Sequence, residues 1–203
     1  MHNRHVSLLL ALACLSLTGC LVESKNPLSP PSASLFDPQL EGDYQQRDKD
    51  EVGFWHFRYR REDRGKGHEH DVTPWIDVLS VGHSKDGNLE RSAYKILATK
   101  IAGRNYLSFI SLPDNGSKPR AVRYGFARYE VGWRGELRIW LASESAFVAG
   151  VKAGKLRGKV TPSQSGDSVE LTDTSAHLAA FIAAGDPHAL FGGKPMVLRR
   201  LAR

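Results

Sequence analysis

The chain has 203 residues and a formal net charge of +6, with 28 lysine and arginine residues against 22 aspartate and glutamate residues. Apolar residues make up 41% of the sequence and charged residues 25%, a balance that is typical of globular proteins and excludes wholesale disorder. The length is sufficient for one domain preceded by a short additional segment.

The N-terminal residues have the features of an export signal. A polar start that contains Arg4 precedes an apolar run over residues 6–17, VSLLLALACLSL. A run of about twelve residues is too short for a mature membrane-spanning helix, which takes about 20. It has the length of the hydrophobic region of a secretory signal peptide. The sequence therefore predicts a segment that is removed after export.

Small residues and a cysteine follow this run, in the order Leu17-Thr18-Gly19-Cys20. This tetrapeptide resembles the lipobox of bacterial lipoproteins. The resemblance implies that residues 1–19 are a signal peptide, that the lipoprotein signal peptidase recognises the four residues, and that Cys20 receives diacylglycerol and an acyl chain.

The residue after the cysteine indicates whether the protein is sorted to the inner or the outer membrane. By the same resemblance, an aspartate at position 21 would mark retention in the inner membrane, and Leu21 stands there instead. We therefore expect the mature protein at the periplasmic face of the outer membrane. The implied partners are the membrane, through the acyl anchor, and the lipoprotein processing and sorting machinery. A periplasmic address makes a nucleic-acid partner improbable.

Residues 20–38 are rich in proline and serine. Prolines at 27, 30 and 31 disfavour a regular helix or a central strand. We predict an extended tether that holds the globular domain, residues 39–203, away from the membrane and adds little to its stability. Cys14 and Cys20 are the only cysteines, so this domain has none for a disulfide or a thiolate metal site.

Hydrophobic patterning predicts that the first part of the domain is β-rich. Over residues 52–60, Trp55, Phe57 and Tyr59 alternate with mostly polar residues, which indicates a half-buried strand. Further strands are predicted at 75–82, 92–101, 104–112, 121–131 and 136–142. The C-terminal third predicts helices at about 144–153 and 174–184, a hairpin of 156–160 with 168–172, and a closing strand at 196–201.

Strands at roughly ten-residue spacing are typical of a barrel or a sandwich. We predict a mainly β, α+β domain in which an antiparallel meander curls into a lipocalin-like barrel, with two C-terminal helices. This layout resembles small uncharacterised bacterial lipoproteins of lipocalin-like build, although no diagnostic motif accompanies the resemblance.

The sequence offers one weak candidate for a metal site, His68-Glu69-His70-Asp71. Imidazoles and carboxylates are metal ligands. On an extended segment, however, His68 and His70 would point to one side and the acids to the other. The interpretation that we favour is a solvated loop, and the sequence predicts no metal and no cofactor.

Catalytic motifs are not evident in the sequence. It contains no G-x-S-x-G elbow, no phosphate-binding G-x-x-x-x-G-K-[ST] loop and no G-x-G-x-x-G after a strand. We assign no catalytic residue, and a hydrolase is the least supported function. His56 lies in the aromatic strand, where a packed or pocket-lining role is expected.

Two hypotheses about function remain open. In the first, the barrel binds an apolar or anionic envelope ligand, in a pocket lined by Trp55, Phe57, Tyr59, Tyr106, Phe109 and Tyr124, with Trp140 as a further aromatic candidate. The anionic alternative rests on recurring cations such as Arg58, Arg60, Arg123, Arg128, Arg138 and Lys159. In the second, the protein is a structural or assembly accessory that binds another envelope protein through an exposed edge or patch.

Overall fold

The computed structural model describes residues 22–48, 51–62, 71–83, 87–112, 121–162 and 166–201. The predicted signal peptide, the lipobox, His68 and His70 lie outside these residues. Within them the chain forms eleven strands: β1 Val22–Ser24, β2 Gly42–Asp48, β3 Glu51–Glu62, β4 Asp71–His83, β5 Leu89–Ile101, β6 Arg104–Ser111, β7 Gly125–Val131, β8 Glu136–Leu141, β9 Gly158–Thr161, β10 Ser168–Leu171 and β11 Met196–Arg200. The described helices are α1 Glu144–Lys152, α2 Ser175–Ala184 and the short α3 Pro187–Leu190.

Eight of the strands form a closed antiparallel barrel in the order β11-β2-β3-β4-β5-β6-β7-β8. The meander from β2 to β8 follows chain order, and β11 closes it by pairing with both β8 and β2. The predicted mainly β barrel with helices after it is thus confirmed. Hydrophobic patterning does not predict β2, because its segment GDYQQRD contains one large apolar residue.

The inner wall of the barrel is filled by side chains that alternate along each strand. On β3, Phe57 and Tyr59 point inward and are buried, whereas Phe54, His56 and Arg58 point outward. The interior core consists of Leu40, Tyr44, Phe57, Tyr59, Ile76, Val78, Tyr94, Ile96, Ala98, Leu107, Ala127, Tyr129, Leu137, Ile139 and Leu198.

The two ends of the barrel differ. At the end where β2 begins, which we call the closed end, Leu35 packs against the interior core and Leu40 is part of it. At the opposite end, which we call the open end, the connections β2–β3, β4–β5 and β6–β7 include residues outside the described ranges. The β3–β4 connection at the closed end also includes residues outside the described ranges. The described residues thus show that the N-terminal segment packs into the closed end, and they show the inner wall up to the open end.

A second layer covers one outer side of the barrel. It contains the three-stranded sheet β1-β10-β9 and the helices. Its core packs onto outward residues of β6, β7 and β8 and consists of Val22, Leu28, Ile101, Tyr106, Phe126, Ala142, Phe147, Val148, Leu156, Val169, Leu171, Leu178, Ile182, Leu190 and Phe191. Because β7 lies between this layer and the barrel interior, all five residues from Gly125 to Tyr129 are buried.

The prediction of a tether that is separate from the domain is wrong for residues 22–38. Val22 is fully buried and pairs with Val169 of β10. Leu28 is 2% exposed, and its backbone N–H donates to Ser108 Oγ at 2.9 Å. Ser29 bonds Thr99 at 2.6 Å between hydroxyl oxygens. Proline excludes regular helix but not packing, and these hydrogen bonds satisfy the polar groups that packing takes from water.

Candidate functional site

The inner wall of the open end carries a cluster of aromatic rings. Trp55 stacks on Tyr94 with ring centroids 6.2 Å apart and planes inclined by 16°, and Tyr94 meets Phe109 edge-on at 6.4 Å. Phe57 lies next to Trp55 at 6.4 Å. Phe57 and Tyr94 are buried, whereas Trp55 and Phe109 remain partly exposed. We call Trp55, Tyr94 and Phe109 the aromatic mouth.

The aromatic mouth is flanked by small residues at inward positions. Ser80 and Ser92 face each other across the β4–β5 pair. Gly82 lies so close to Gly53 that a Cβ atom on Gly82 would be 3.7 Å from Gly53 Cα. Gly125 faces Phe109 across the β6–β7 pair. These residues project little into the barrel, and the rings of Trp55 and Phe109 remain partly exposed beside them.

Few polar groups are described on this part of the inner wall. The indole Nε1–H of Trp55 donates to Gln46 Oε1 at 3.1 Å. Strand alternation also places Glu90 inward, at the rim. In the described part of the open end, no lysine or arginine occupies an inward position. The described inner wall at this end is therefore mainly apolar and aromatic.

Several arginines on or beside the barrel point outward and form ion pairs. Arg58 donates to Asp43 at 2.6 Å, Arg60 to Asp77 at 3.0 Å, and Arg123 lies 2.7 Å from Glu170. Arg128 is buried under the second layer, where its guanidinium lies 4.0 Å from the ring centroid of Trp140 and contacts Glu130. These four arginines each lie beside a carboxylate, which partly neutralises their charge.

The closed end is filled by the N-terminal segment, which three inward tyrosines hold by hydrogen bonds. Tyr129 donates to Asp37 Oδ2 at 2.7 Å, and the Asp37 N–H donates to Tyr59 Oη at 2.7 Å. Tyr44 donates to the carbonyl of Gln39 at 2.8 Å. Burial raises the pKa of Tyr59 to about 12 and, together with Asp37, raises the pKa of Tyr129. Among the described residues, this hydrogen-bonded segment therefore closes the end of the barrel at which β2 begins.

The predicted pocket residues do not form one group. Trp55, Phe57 and Phe109 meet at the open end, whereas Tyr59 lies at the closed end. Tyr106 and Tyr124 point outward and belong to the second layer, as does Trp140. Tyr94 was missed. Its segment, SAYKILATKI, mixes lysine and alanine with apolar residues, so its strand alternation was ambiguous.

Surface features are also present outside the barrel interior. A groove of about 620 Å³ runs between the N-terminal segment and the start of β4, lined by Pro31, Ser32, Ser34, Phe36, Val72, Thr73 and Pro74. Phe54, Leu79 and Leu89 are 40%, 41% and 69% exposed on the outer face of β3, β4 and β5. Val81 lies between them, opposite Phe54. We call Phe54, Leu79, Val81 and Leu89 the outer apolar patch.

Two histidine–carboxylate pairs are present among the described residues. His56 Nδ1 lies 2.8 Å from Asp43 Oδ1 on the outside of the barrel, so His56 is not pocket-lining. His177 Nδ1 lies 2.8 Å from Oδ1 of the buried Asp173. No described group of three or more His, Cys, Asp or Glu residues could hold a metal ion. The HEHD candidate falls on His68 and His70, outside the described part of the chain.

Comparisons with known proteins leave the chain without an assigned family. No family model, no curated protein and no solved structure matches it. None of the described helices is long and apolar enough to cross a bilayer. The case for a function therefore rests on the geometry of the barrel.

Proposed function

We propose that this protein is a lipid-anchored envelope protein that binds an apolar ligand at the aromatic mouth, without catalysis. The observation that carries the proposal is the composition of the described inner wall at the open end, where partly exposed Trp55 and Phe109 lie among small residues. Ligand pockets have this character, with apolar and aromatic walls and few polar groups.

The depth of the barrel limits what the ligand can be. Below the aromatic mouth the interior is filled by Phe57, Val78 and Ile96, and the closed end is held by hydrogen bonds. An eight-stranded barrel is just wide enough to be filled by its own side chains or to hold one small ligand. The site therefore takes the end of an acyl or isoprenoid chain or a small aromatic group, with the remainder of the ligand outside the barrel.

Filling the aromatic mouth tests this proposal. Ser92→Phe adds a ring at an inward position beside Tyr94, whereas Ala93→Phe adds the same ring one residue further on, on the outer face. Both variants would be titrated with a fluorescent fatty acid, alongside the unchanged chain, as secreted forms that begin at Leu21. We expect Ser92→Phe to abolish binding and Ala93→Phe to retain it. Equal binding by both variants would place the ligand elsewhere.

Native mass spectrometry of the tagged full-length protein, extracted gently from membranes, would show whether an apolar molecule accompanies it. In this experiment Ser92→Phe should lose the bound mass and Ala93→Phe should keep it. A bound protein in place of a small molecule would support the second candidate function.

The anchor needs its own test. Cys20 supplies the only thiol that could accept diacylglycerol once residues 1–19 are removed. In cells fed a labelled fatty acid we expect the label on the unchanged protein and none on Cys20→Ser. Separation of inner and outer membranes then tests the proposed location at the periplasmic face of the outer membrane.

The outer apolar patch favours a second function, that of an accessory that binds another envelope protein. Four apolar side chains on adjacent strands form a contiguous exposed surface, which is a feature of protein contact sites. Leu79→Asp would disrupt this surface without touching the aromatic mouth. Loss of a co-purifying protein in Leu79→Asp, but not in Ser92→Phe, would favour this function.

A further inference from the structure

The proposed anchor residue lies very close in sequence to the folded domain. β1 begins at Val22, two residues after Cys20, and Val22 is fully buried. Two residues of extended chain span at most about 7 Å between Cα atoms. The chain therefore has no spacer between an acylated Cys20 and the second layer of the domain.

The surroundings of Val22 define which part of the domain is close to Cys20. Val22 pairs with Val169 of β10, and Val169 pairs with Val160 of β9. Neighbouring strands are about 4.8 Å apart, so the tip of the β9–β10 hairpin lies within about 15–20 Å of Cys20. Thr161 is an exposed residue at this tip.

We propose that the bilayer surface that holds the acyl chains of Cys20 is also the surface against which the β9–β10 hairpin and the exposed side of β1 lie. This inference rests on the proposed lipidation. Acyl chains inserted in the bilayer fix Cys20 at the level of the headgroups. Because Val22 is held in a sheet and cannot move away, the sheet is brought to the same level.

Charge does not account for this orientation. On the outer face of the three-stranded sheet, Glu170 lies 3.9 Å from Lys25 and 2.7 Å from Arg123, and Glu23 is exposed beside it. Cations and anions are thus nearly balanced on this face. The short connection to Cys20 holds the sheet at the membrane, so the orientation should persist in high salt.

β1 also joins the second layer to the start of β7. The backbone of Ser24 forms two hydrogen bonds with Tyr124, at 2.9 and 2.8 Å, and this bridge is antiparallel. The chain traced back from Ser24 to Val22 therefore runs in the direction of β7, which leads away from the open end.

Single-cysteine labelling tests the orientation. The mature chain would have no free thiol because Cys20 is modified, so Thr161→Cys or Phe54→Cys introduces a unique site. Phe54 is the control because β3 is four strands away from β7 around the barrel. Each full-length variant would be labelled with an environment-sensitive dye and reconstituted in phosphatidylethanolamine–phosphatidylglycerol vesicles that contain spin-labelled lipid. We expect the lipid to quench most of the emission at Thr161 and little at Phe54.

A spacer provides the second comparison. Inserting about 20 glycine and serine residues between Leu21 and Val22 adds a root-mean-square reach of about 25 Å and should abolish the quenching at Thr161. Mass spectrometry of the same samples reports acylation of Cys20. If Cys20 is acylated and Thr161 is quenched no more than Phe54, the orientation is wrong while the anchor stands. If Cys20 carries no acyl group, both proposals are overturned.

Discussion

The ring of Phe109 occupies the space that a side chain on Gly125 would need. A Cβ atom built on Gly125 would lie 2.4 Å from Phe109 Cζ and 2.6 Å from Cε2. The pair faces each other across β6 and β7 at the open end of the barrel. An aromatic ring lying over a strand glycine is a recurrent way to cover exposed backbone in sheets.

Gly125→Ala should displace this ring. Overpacking of this kind costs about 1–3 kcal/mol of unfolding free energy. Gly82→Ala is the matched control, because its nearest new contact is an ordinary 3.7 Å to Gly53 Cα. Urea denaturation measures the free energy of unfolding of both variants. Near-ultraviolet circular dichroism detects a change in the packing of the aromatic mouth. Equal stabilities would mean that Phe109 moves aside at no cost.

The N-terminal segment should contribute strongly to stability. Leu28 is 2% exposed in the core of the second layer, and Leu→Ala at such a site costs about 2–5 kcal/mol. Phe36→Ala removes a larger side chain from the same segment, but Phe36 is 52% exposed and should cost less. Thermal or urea unfolding would compare the stabilities of the two variants. A larger loss of stability in Phe36→Ala than in Leu28→Ala would contradict this packing.

A chain that begins at Asp37 provides a broader test of the same segment. It lacks β1, Leu28 and Leu35 and so exposes apolar residues of both cores. We expect it to be less stable than the chain that begins at Leu21, and to bind a dye specific for exposed apolar surface. If the N-terminal segment contributed nothing to stability, the two chains would have the same free energy of unfolding.

Alkali should destabilise the fold through its buried tyrosines. Burial raises the pKa of Tyr59 from 10.0 to about 12. Below pH 10 the phenol is neutral in both states. Between pH 10 and 12 the unfolded chain loses this proton while the folded chain keeps it, so stability falls as pH rises and this contribution is lost near pH 12. Burial also raises the pKa of Tyr44, Tyr106, Tyr124 and Tyr129.

Phenolate absorbance measures the ionisation of the tyrosines directly. The chain has six tyrosines, and we expect most of them to ionise only together with loss of the near-ultraviolet dichroism. Ionisation of all six near the ordinary pKa, with the tertiary structure intact, would disagree with their burial.

The turn between β5 and β6 contains a strained backbone conformation that a substitution can relieve. Ala102 has φ of +47° and Gly103 φ of +79°. The left-handed region costs a residue with a Cβ atom roughly 1–2 kcal/mol, whereas asparagine adopts it more readily. Ala102→Asn should therefore raise the melting temperature. Lys100→Asn, two residues earlier and also exposed, is the control and should not.

Replacing Glu144, at the start of α1, by glutamine should stabilise the folded protein at neutral pH. Burial, aided by the nearby Asp167, raises its carboxyl pKa, and one carboxylate oxygen is buried without a hydrogen bond. Because the folded state disfavours the charge, stability falls as pH rises through the range in which Glu144 ionises. Glu144→Gln should gain less than ~1 kcal/mol at pH 7 and lose that advantage in acid. A loss at pH 7 would indicate that the charge is favourable there.

Sequence pattern alone was sufficient for most individual strands and helices. The alternation of Trp55, Phe57 and Tyr59 indicates β3, and the side chains of Thr174 and Asp186 cap α2 and α3. These features depend on neighbours in the chain, which is why they can be read locally. The apolar character of the described inner wall at the open end could not be predicted in this way, because it depends on which face of every strand points into the barrel.

By itself, the sequence determined the closed β meander, the helices after it and the expectation of a lipid anchor at Cys20. Only the tertiary structure decided that residues 22–38 are part of the domain, and that Tyr106 and Tyr124 lie outside the barrel while Tyr94 lies within it. The physical reason is burial on both sides of a strand. Alternation assigns two faces to β7, but both are buried, and only the packing of distant segments shows which one faces the interior.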